Sequence, residues 1–97
     1  MPEKKQYNAD HDKDKQTYFV ELETGHYAEV NYQADGNVLT LNRSYVPETL
    51  RGKGYAGVMM EAVLQVIERE GYKVIPTCSY IVYYLERHEE WQHLMQR

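Results

Sequence analysis

The stretch "YVPETLRGKGYAGVMMEAV", Tyr45 to Val63, decides the fold of this chain. An extended segment ends at a proline, and a loop of interleaved cations and glycines then leads directly into a helical pattern. The first turn of a helix carries backbone N–H groups without an intrahelical partner, and the helix dipole adds positive charge there. Gly52 and Gly54 leave these amides accessible, while Arg51 and Lys53 add charge. The stretch therefore predicts a diphosphate site, with a tight turn into a helix as the purely structural alternative.

Two familiar phosphate-binding loops do not fit this stretch. Gly52-x-Gly54-x-x-Gly57 has the letters of the dinucleotide fingerprint, but that site needs a doubly wound parallel sheet and an acidic residue near the end of the next strand. The next strand here ends in "IPTC". A Walker loop needs Gly-Lys followed by Ser or Thr, whereas Lys53 precedes a glycine and a tyrosine. Neither fingerprint explains the loop.

The segments before this stretch alternate apolar and polar residues, as strands do. Three of them occupy residues 17–22, 26–33 and 37–46, and Asp35-Gly36 is a hairpin signal between the last two. They predict a three-stranded antiparallel meander. Residues 1–16 are charged, polar and without periodicity, and we expect a mobile polar tail or at most a weak edge segment.

The segments after the loop are helical apart from one short strand. Apolar residues recur at three- and four-residue steps from Tyr55 to Gly71, which predicts an amphipathic helix with Gly71 as its C-terminal cap. A strand over 72–76 follows, and then short helices over 79–87 and 89–95. Ser79 is the predicted N-cap of the first of these helices, with Thr77 as the alternative. The predicted fold class is α+β: a small, mostly antiparallel sheet with a long helix packed across it and short C-terminal helices, in one domain over 17–97.

The composition of the chain argues against several classes of function. The chain has 97 residues and a net charge of −4, without the basic face of a nucleic-acid-binding protein. Cys78 is the one cysteine, so an intrachain disulfide and a multi-cysteine zinc site are excluded, and we expect no metal. No apolar run is long enough to span a membrane, and the start does not read as a signal peptide. We expect a cytoplasmic protein, monomeric or weakly dimeric.

Two segments carry a resemblance to a known family. "VPETLRGKGYA" resembles the acyl-CoA-binding loop of the GNAT acetyltransferase superfamily, whose pattern Arg/Gln-x-x-Gly-x-Gly/Ala falls on Arg51, Gly54 and Ala56. "YKVIPTCSYIVYYLERHEEW" resembles the compact, minimal branch of that superfamily, with its Pro-x-Cys-Ser-Tyr segment followed by Arg-His. The resemblance implies a minimal GNAT-like fold and acetyl-CoA or coenzyme A as the ligand.

The resemblance also implies where the cofactor binds. Its diphosphate would lie on the backbone amides of the loop, and its pantetheine arm would run along the preceding strand. The implied cofactor-binding residues are Tyr45, Val46, Arg51, Gly52, Lys53, Gly54, Tyr55 and Ala56. The thiol end would emerge where this strand and "KVIP" splay apart. Arg87 and His88 could reach the phosphates, although a solvated helix end explains them equally well.

Catalytic candidates follow from the same resemblance. The compact branch places a cysteine where the thioester arrives, here Cys78, which suggests an acetyl-cysteine relay; a small buried hydrophobic residue is the alternative. Tyr80 is the candidate proton donor to the leaving thiolate, with packing as its alternative role. Glu29 is a spare candidate base. Members of the branch often carry a His and an acidic residue roughly where this chain has Arg43 and Tyr45.

Three functions remain open. The first is an acetyl-CoA-dependent N-acetyltransferase acting on an amine such as a protein lysine or a polyamine. The resemblance implies this open acceptor side, because the usual superfamily fold has helices near its N-terminus that wall the acceptor site, and the short connection between the first two predicted strands has no room for them. The second is a non-catalytic acyl-CoA-binding or interaction module, and the third is a plain interaction protein that pairs through an exposed strand edge and binds no coenzyme A.

Overall fold

A computed structural model describes residues 7–96 as one α+β domain. Its strands are β1 (Ala9–Asp12), β2 (Thr17–Glu23), β3 (His26–Asp35), β4 (Val38–Tyr45) and β5 (Lys73–Pro76). Its α-helices are α1 (Tyr55–Glu70) and α2 (Ser79–Glu86), and 3₁₀ helices cover Glu48–Leu50 and Glu89–Leu94.

The strands form a single five-stranded sheet in the order β1-β2-β3-β4-β5. The first three pairings are antiparallel, and β5 runs parallel to β4. The parallel pairing follows from α1, since a helical crossover returns the chain to the same end of the sheet. The predicted fold class, with its mostly antiparallel sheet and one long helix, is confirmed.

The core lies on one face of the sheet. In β2 the buried residues are Tyr18, Val20 and Leu22, at alternate positions, and β3 shows the same alternation. Helix α1 covers this face with fully buried side chains that include Met59 and Val63. Each such side chain contributes about 1.5–3 kcal/mol on leaving water. On the opposite, open face of the sheet, described side chains such as Glu21 and Arg43 are exposed.

The prediction of a polar tail is wrong for Ala9–Asp12, which forms edge strand β1 antiparallel to β2. The edge-segment alternative describes it better. The reason is His11, whose side chain is 5% exposed. Its ring stacks on Tyr18, Nδ1 lies 3.0 Å from Glu70 Oε2, and Nε2 lies 2.5 Å from the Tyr32 hydroxyl. Residues 1–6 of the predicted tail lie outside the described part of the chain.

A β-bulge in β4 changes the face of the sheet on which the last residues of this strand lie. Asn31 lies opposite Arg43 but Tyr32 lies opposite Leu41, so Asn42 is an extra residue in β4. A bulge shifts the inward and outward alternation of the strand by one residue. Ser44, opposite the buried Val30, consequently lies on the covered face of the sheet.

The two parallel strands separate at the same place. Pairing between β4 and β5 ends at Leu41 and Pro76. The Leu41 carbonyl accepts the N–H groups of Thr77 and Cys78, at 3.0 and 3.2 Å, and the chain then turns into α2. Strand β4 continues to Tyr45 without this neighbour, which leaves an opening between the two strands.

Candidate functional site

The loop before α1 is shaped as an anion site requires. Gly52 and Gly54 have φ angles of +81° and +82°, a left-handed conformation that favours glycine. Gly54 is the N-cap of α1, where no side chain forms a capping hydrogen bond and the first turn contains no acidic residue. A Cβ atom at either glycine would meet nothing within 4 Å. The space beside both glycines is therefore open, and the amides of such an uncapped helix start suit a diphosphate.

The two predicted cations of the loop differ in their contacts, since Arg51 has protein partners and Lys53 is exposed. Arg51 donates its Nε–H to the Val46 carbonyl at 2.9 Å, and its guanidinium lies 5.8 Å from the centre of the Tyr45 ring. Arg43 approaches the same ring at 5.6 Å. Lys53 is exposed. Because the Val46 carbonyl already accepts from Arg51, a pantetheine arm would share this acceptor with the guanidinium.

The ring of Tyr55, the first residue of α1, is engaged away from the loop, which leaves its backbone amide as the group that could contact a ligand. Its hydroxyl donates to a Glu23 carboxylate oxygen at 2.7 Å, and its ring meets the edge of Tyr7. The hydrogen bond to Glu23, followed by burial, raises the pKa of Tyr55 to about 12. The side chain is thus fixed on β2, and Ala56 follows it half-buried in the first turn.

Cys78 lies where the opening between β4 and β5 meets α2. It is the N-cap of α2, so the prediction of Ser79 as the N-cap is wrong by one residue, and no side chain caps this helix. The Cys78 Sγ lies 3.4 Å from the Ser44 Oγ. Burial acts to raise the pKa of the thiol, but the Ser44 hydroxyl and nearby backbone amides outweigh burial and lower the pKa. A lower pKa favours the reactive thiolate.

Ser44 is a site residue that the sequence reasoning missed. In a regular strand its side chain would lie on the opposite face, and the bulge at Asn42 reverses this. The available signal was the run "NRS" (42–44), which interrupts the apolar alternation of "VLTL".

Tyr80 lies in the first turn of α2, two residues beyond Cys78. Its ring centre lies 6.2 Å from that of Tyr83 and 6.4 Å from that of Tyr84. Burial, followed by the neighbouring Tyr83, raises the pKa of Tyr80. A tyrosine hydroxyl is protonated at neutral pH even at its ordinary pKa of about 10, so Tyr80 is able to donate a hydrogen bond, while the raised pKa makes it a weaker acid.

The loop and the thiol are brought together by the packing of α1 against α2. A Cβ atom at Gly57, in the first turn of α1, would lie 4.0 Å from Tyr84 Cε2. Tyr84 is six residues beyond Cys78, which corresponds to about 9 Å along a helix. The anion loop thus lies beside the second half of α2, and the thiol lies at the start of that helix.

Other predicted candidates lie elsewhere. Glu29 pairs with Tyr45 on the open face of the sheet, whereas Ser44 and Cys78 meet on the covered face, so the structure separates Glu29 from the thiol. Within residues 7–96, no three His, Cys, Asp or Glu side chains are grouped to hold a metal ion. In the same range, no helix combines the length and apolarity needed to cross a membrane.

A mostly antiparallel sheet whose last two strands separate beside a glycine-rich helix start is the architecture of the acetyltransferase class that the sequence resembles. Residues 17–94 match the family model of the GCN5-related N-acetyltransferases, and the chain belongs to this family. Among solved structures it is similar to a GCN5-like protein from Staphylococcus aureus, with a TM-score of 0.68 and 20% identity over 94% of this chain and 89% of that one. No curated protein matches the sequence.

Proposed function

We propose that this protein is an acetyl-CoA-dependent N-acetyltransferase whose 51–56 loop binds the diphosphate of the cofactor. One observation carries the proposal: α1 starts at a left-handed glycine, with no capping side chain and no acidic residue in its first turn. Bare amides at a helix start, open space in front of Gly52 and Gly54, and an adjacent Lys53 form a donor set that fits a diphosphate. Membership of the acetyltransferase family supports acetyl transfer in general.

The pantetheine arm and the thioester of the cofactor are proposed to lie between the loop and Cys78. The pantetheine arm would follow the free edge of β4 at Tyr45 and Val46, and the thioester would enter the opening beside Ser44 and Cys78. The cofactor supplies an activated acetyl group there. Tyr80, which lies in the first turn of α2 two residues beyond Cys78, is the candidate proton donor for the departing thiolate.

Cys78 has two possible roles in this scheme. As a relay, its thiolate would attack the thioester carbonyl, hold the acetyl group as a thioester of its own, and pass it to the acceptor amine. In direct transfer the amine would attack without this step, and Cys78 would only line the site. The lowered pKa of Cys78 and its position at the opening support the relay.

The acceptor is proposed to be an amine on a large or flexible molecule, such as a protein lysine or a polyamine. Only Thr24 and Gly25 connect β2 to β3, so no helix inserted between these strands encloses the acceptor side. An open approach suits a side chain that projects from a larger body better than it suits a small, enclosed metabolite.

A non-catalytic acyl-CoA-binding module is the second candidate function. It is favoured by the side-chain partner of Cys78, which is the hydroxyl of Ser44 rather than a carboxylate or an imidazole. The candidate base Glu29 lies on the other face of the sheet. Such a module would bind the same cofactor through the same loop without turnover.

The decisive experiment is a calorimetric titration of the protein with coenzyme A and, separately, with acetyl-CoA. We expect micromolar binding that Gly54→Asp abolishes, because its carboxylate would stand where the diphosphate binds. The intact mass after exposure to acetyl-CoA, with and without hydroxylamine, then tests for an acetylated Cys78, and Cys78→Ala tests turnover on a panel of amines. Binding without labelling or turnover would favour the module, and no binding would refute both functions.

A further inference from the structure

Arg87 and Tyr83 form an exposed pair at the end of α2. The guanidinium carbon of Arg87 lies 3.9 Å from the centre of the Tyr83 ring, and Tyr83 is 51% exposed. The ion pairs among residues 7–96 are formed by His11 and His93, so in this part of the chain Arg87 has no carboxylate partner. Stacking holds the planar guanidinium without using its N–H donors, which are left free for a ligand.

The neighbouring His88 is committed elsewhere. Its ring stacks on Tyr84 at 3.8 Å, and its Nδ1 lies 2.7 Å from the Tyr84 carbonyl oxygen. An Nδ1–H donor pairs with that carbonyl, and the ring is held against the helix. Of the two adjacent basic residues, Arg87 is therefore the one with several donors outside the hydrogen bonds of the helix, whereas His88 keeps only Nε2.

Helical geometry gives the direction in which Arg87 projects. Successive residues of a helix turn by about 100°, so Arg87 lies within about 20° of Tyr80 and about 140° from Val82. Val82 faces a shallow cavity of about 520 Å³ that Pro76 and Met95 also line, on the side of β5 where Met95 bridges to Val74. Arg87 and Tyr80 consequently lie on the other flank of α2, on the side that faces α1.

That flank adjoins the anion loop. Gly57, in the first turn of α1, lies against Tyr84, and Arg87 follows Tyr84 by three residues, or about 4.5 Å along the helix. A diphosphate on the loop would have the thiol of Cys78 at one end of α2 and the Arg87 guanidinium at the other. Coenzyme A carries, beyond its diphosphate, a ribose with a 3′-phosphate.

We propose that Arg87, held by Tyr83, binds the 3′-phosphate of coenzyme A and so distinguishes this cofactor from carriers that lack that group. The inference rests on the proposed cofactor site. A guanidinium presents two parallel N–H donors to two phosphate oxygens, which a lysine cannot do.

The test is a titration of the folded protein with coenzyme A and with 3′-dephospho-coenzyme A. The wild type is expected to bind coenzyme A about tenfold more tightly, the effect of one charge-assisted hydrogen bond. Arg87→Ala should bind both ligands equally, at the wild-type affinity for the dephospho form, and Arg87→Lys should retain part of the preference. Arg69→Ala, which removes an exposed cation near the far end of α1, is the matched control and should keep the full preference.

Each result has one meaning. A full preference in Arg87→Ala, or none in the wild type, would overturn the role of Arg87 while leaving the loop site intact. Binding of neither ligand by the wild type would refute the proposed function itself. Tyr83→Ala removes only an exposed ring, so the fold should survive, and the preference should shrink because the guanidinium is no longer held.

Discussion

Replacing Gly54 by alanine tests the anion loop, because Gly71 provides a matched control at the other end of α1. Both glycines have φ of +82°, and a Cβ atom at either would meet nothing within 4 Å. The left-handed conformation costs a residue with a Cβ atom about 1–2 kcal/mol. Each variant should therefore lose about the same stability, which lowers the melting temperature of a domain of this size by about 5–15 °C.

The two variants should differ only in ligand binding. The methyl group of Gly54→Ala would enter the open space in front of the first turn of α1, where a diphosphate is proposed to contact the amides. Loss of one hydrogen bond to a charged group costs about 1.5–3 kcal/mol, so the dissociation constant for coenzyme A should rise about 10- to 100-fold. Gly71→Ala should bind coenzyme A as the wild type does.

Thermal melts followed by circular dichroism and calorimetric titrations on the three proteins give both quantities. Equal losses of affinity in the two variants would mean that backbone strain, rather than a blocked site, weakens binding. Unchanged affinity in Gly54→Ala would place the diphosphate elsewhere on the protein. Either result would refute the assignment of this loop.

Three further predictions concern the thiol and the packing of the N-terminal strand. Ser44→Ala should raise the pKa of Cys78 by removing a hydrogen bond that favours the thiolate, so the pH profile of alkylation by iodoacetamide should move to higher pH. His11→Ala should cost about 2–3 kcal/mol in denaturant unfolding, since it removes a buried ring and leaves the buried Tyr32 hydroxyl without its His11 partner, whereas His26→Ala at the exposed start of β3 should change little. Burial and the hydrogen bond to the Glu70 carboxylate raise the pKa of Tyr18 in the folded protein. The stability that this tyrosine contributes is therefore full below its unfolded pKa of about 10 and should fall as the pH rises above that value. Denaturant titrations across that pH range measure the loss.

Elements that repeat an apolar pattern were predictable from the sequence. Helix α1 was expected from Tyr55 to Gly71 and is observed over Tyr55–Glu70, with Gly71 as its C-cap. Its buried side chains recur at the spacing of a helix because they face one sheet. The strands before it alternate for the same reason, and the hairpin after Asp35 follows from the left-handed φ that Gly36 supplies.

Features that depend on long-range polar pairing were not predictable in the same way. His11 is buried through contacts with Glu70, 59 residues away, and with Tyr32, and these partners leave no periodic signal. The position of Ser44 depends on one unpaired residue in β4, which changes the face on which the following side chains lie. The contact between Ser44 and Cys78 links two segments whose proximity requires the parallel pairing of β4 and β5.

The two ends of α1 differ in how their backbone groups are satisfied, and this difference supports the proposed ligand over a simple turn. At the C-terminal end, left-handed Gly71 lets two backbone amides satisfy helix carbonyls: its own N–H bonds to Glu68 and that of Tyr72 bonds to Ile67, both at 3.2 Å. At the N-terminal end, left-handed Gly54 leaves the first-turn amides without a capping acceptor. A capping residue usually has an extended backbone and a side-chain oxygen, and Gly54 has neither. With glycine at the N-cap, the chain gives up roughly a few tenths of a kcal/mol of capping stability and leaves the first-turn amides without a capping side chain. A turn alone gains nothing from that loss, whereas a bound diphosphate would supply the missing hydrogen-bond acceptors.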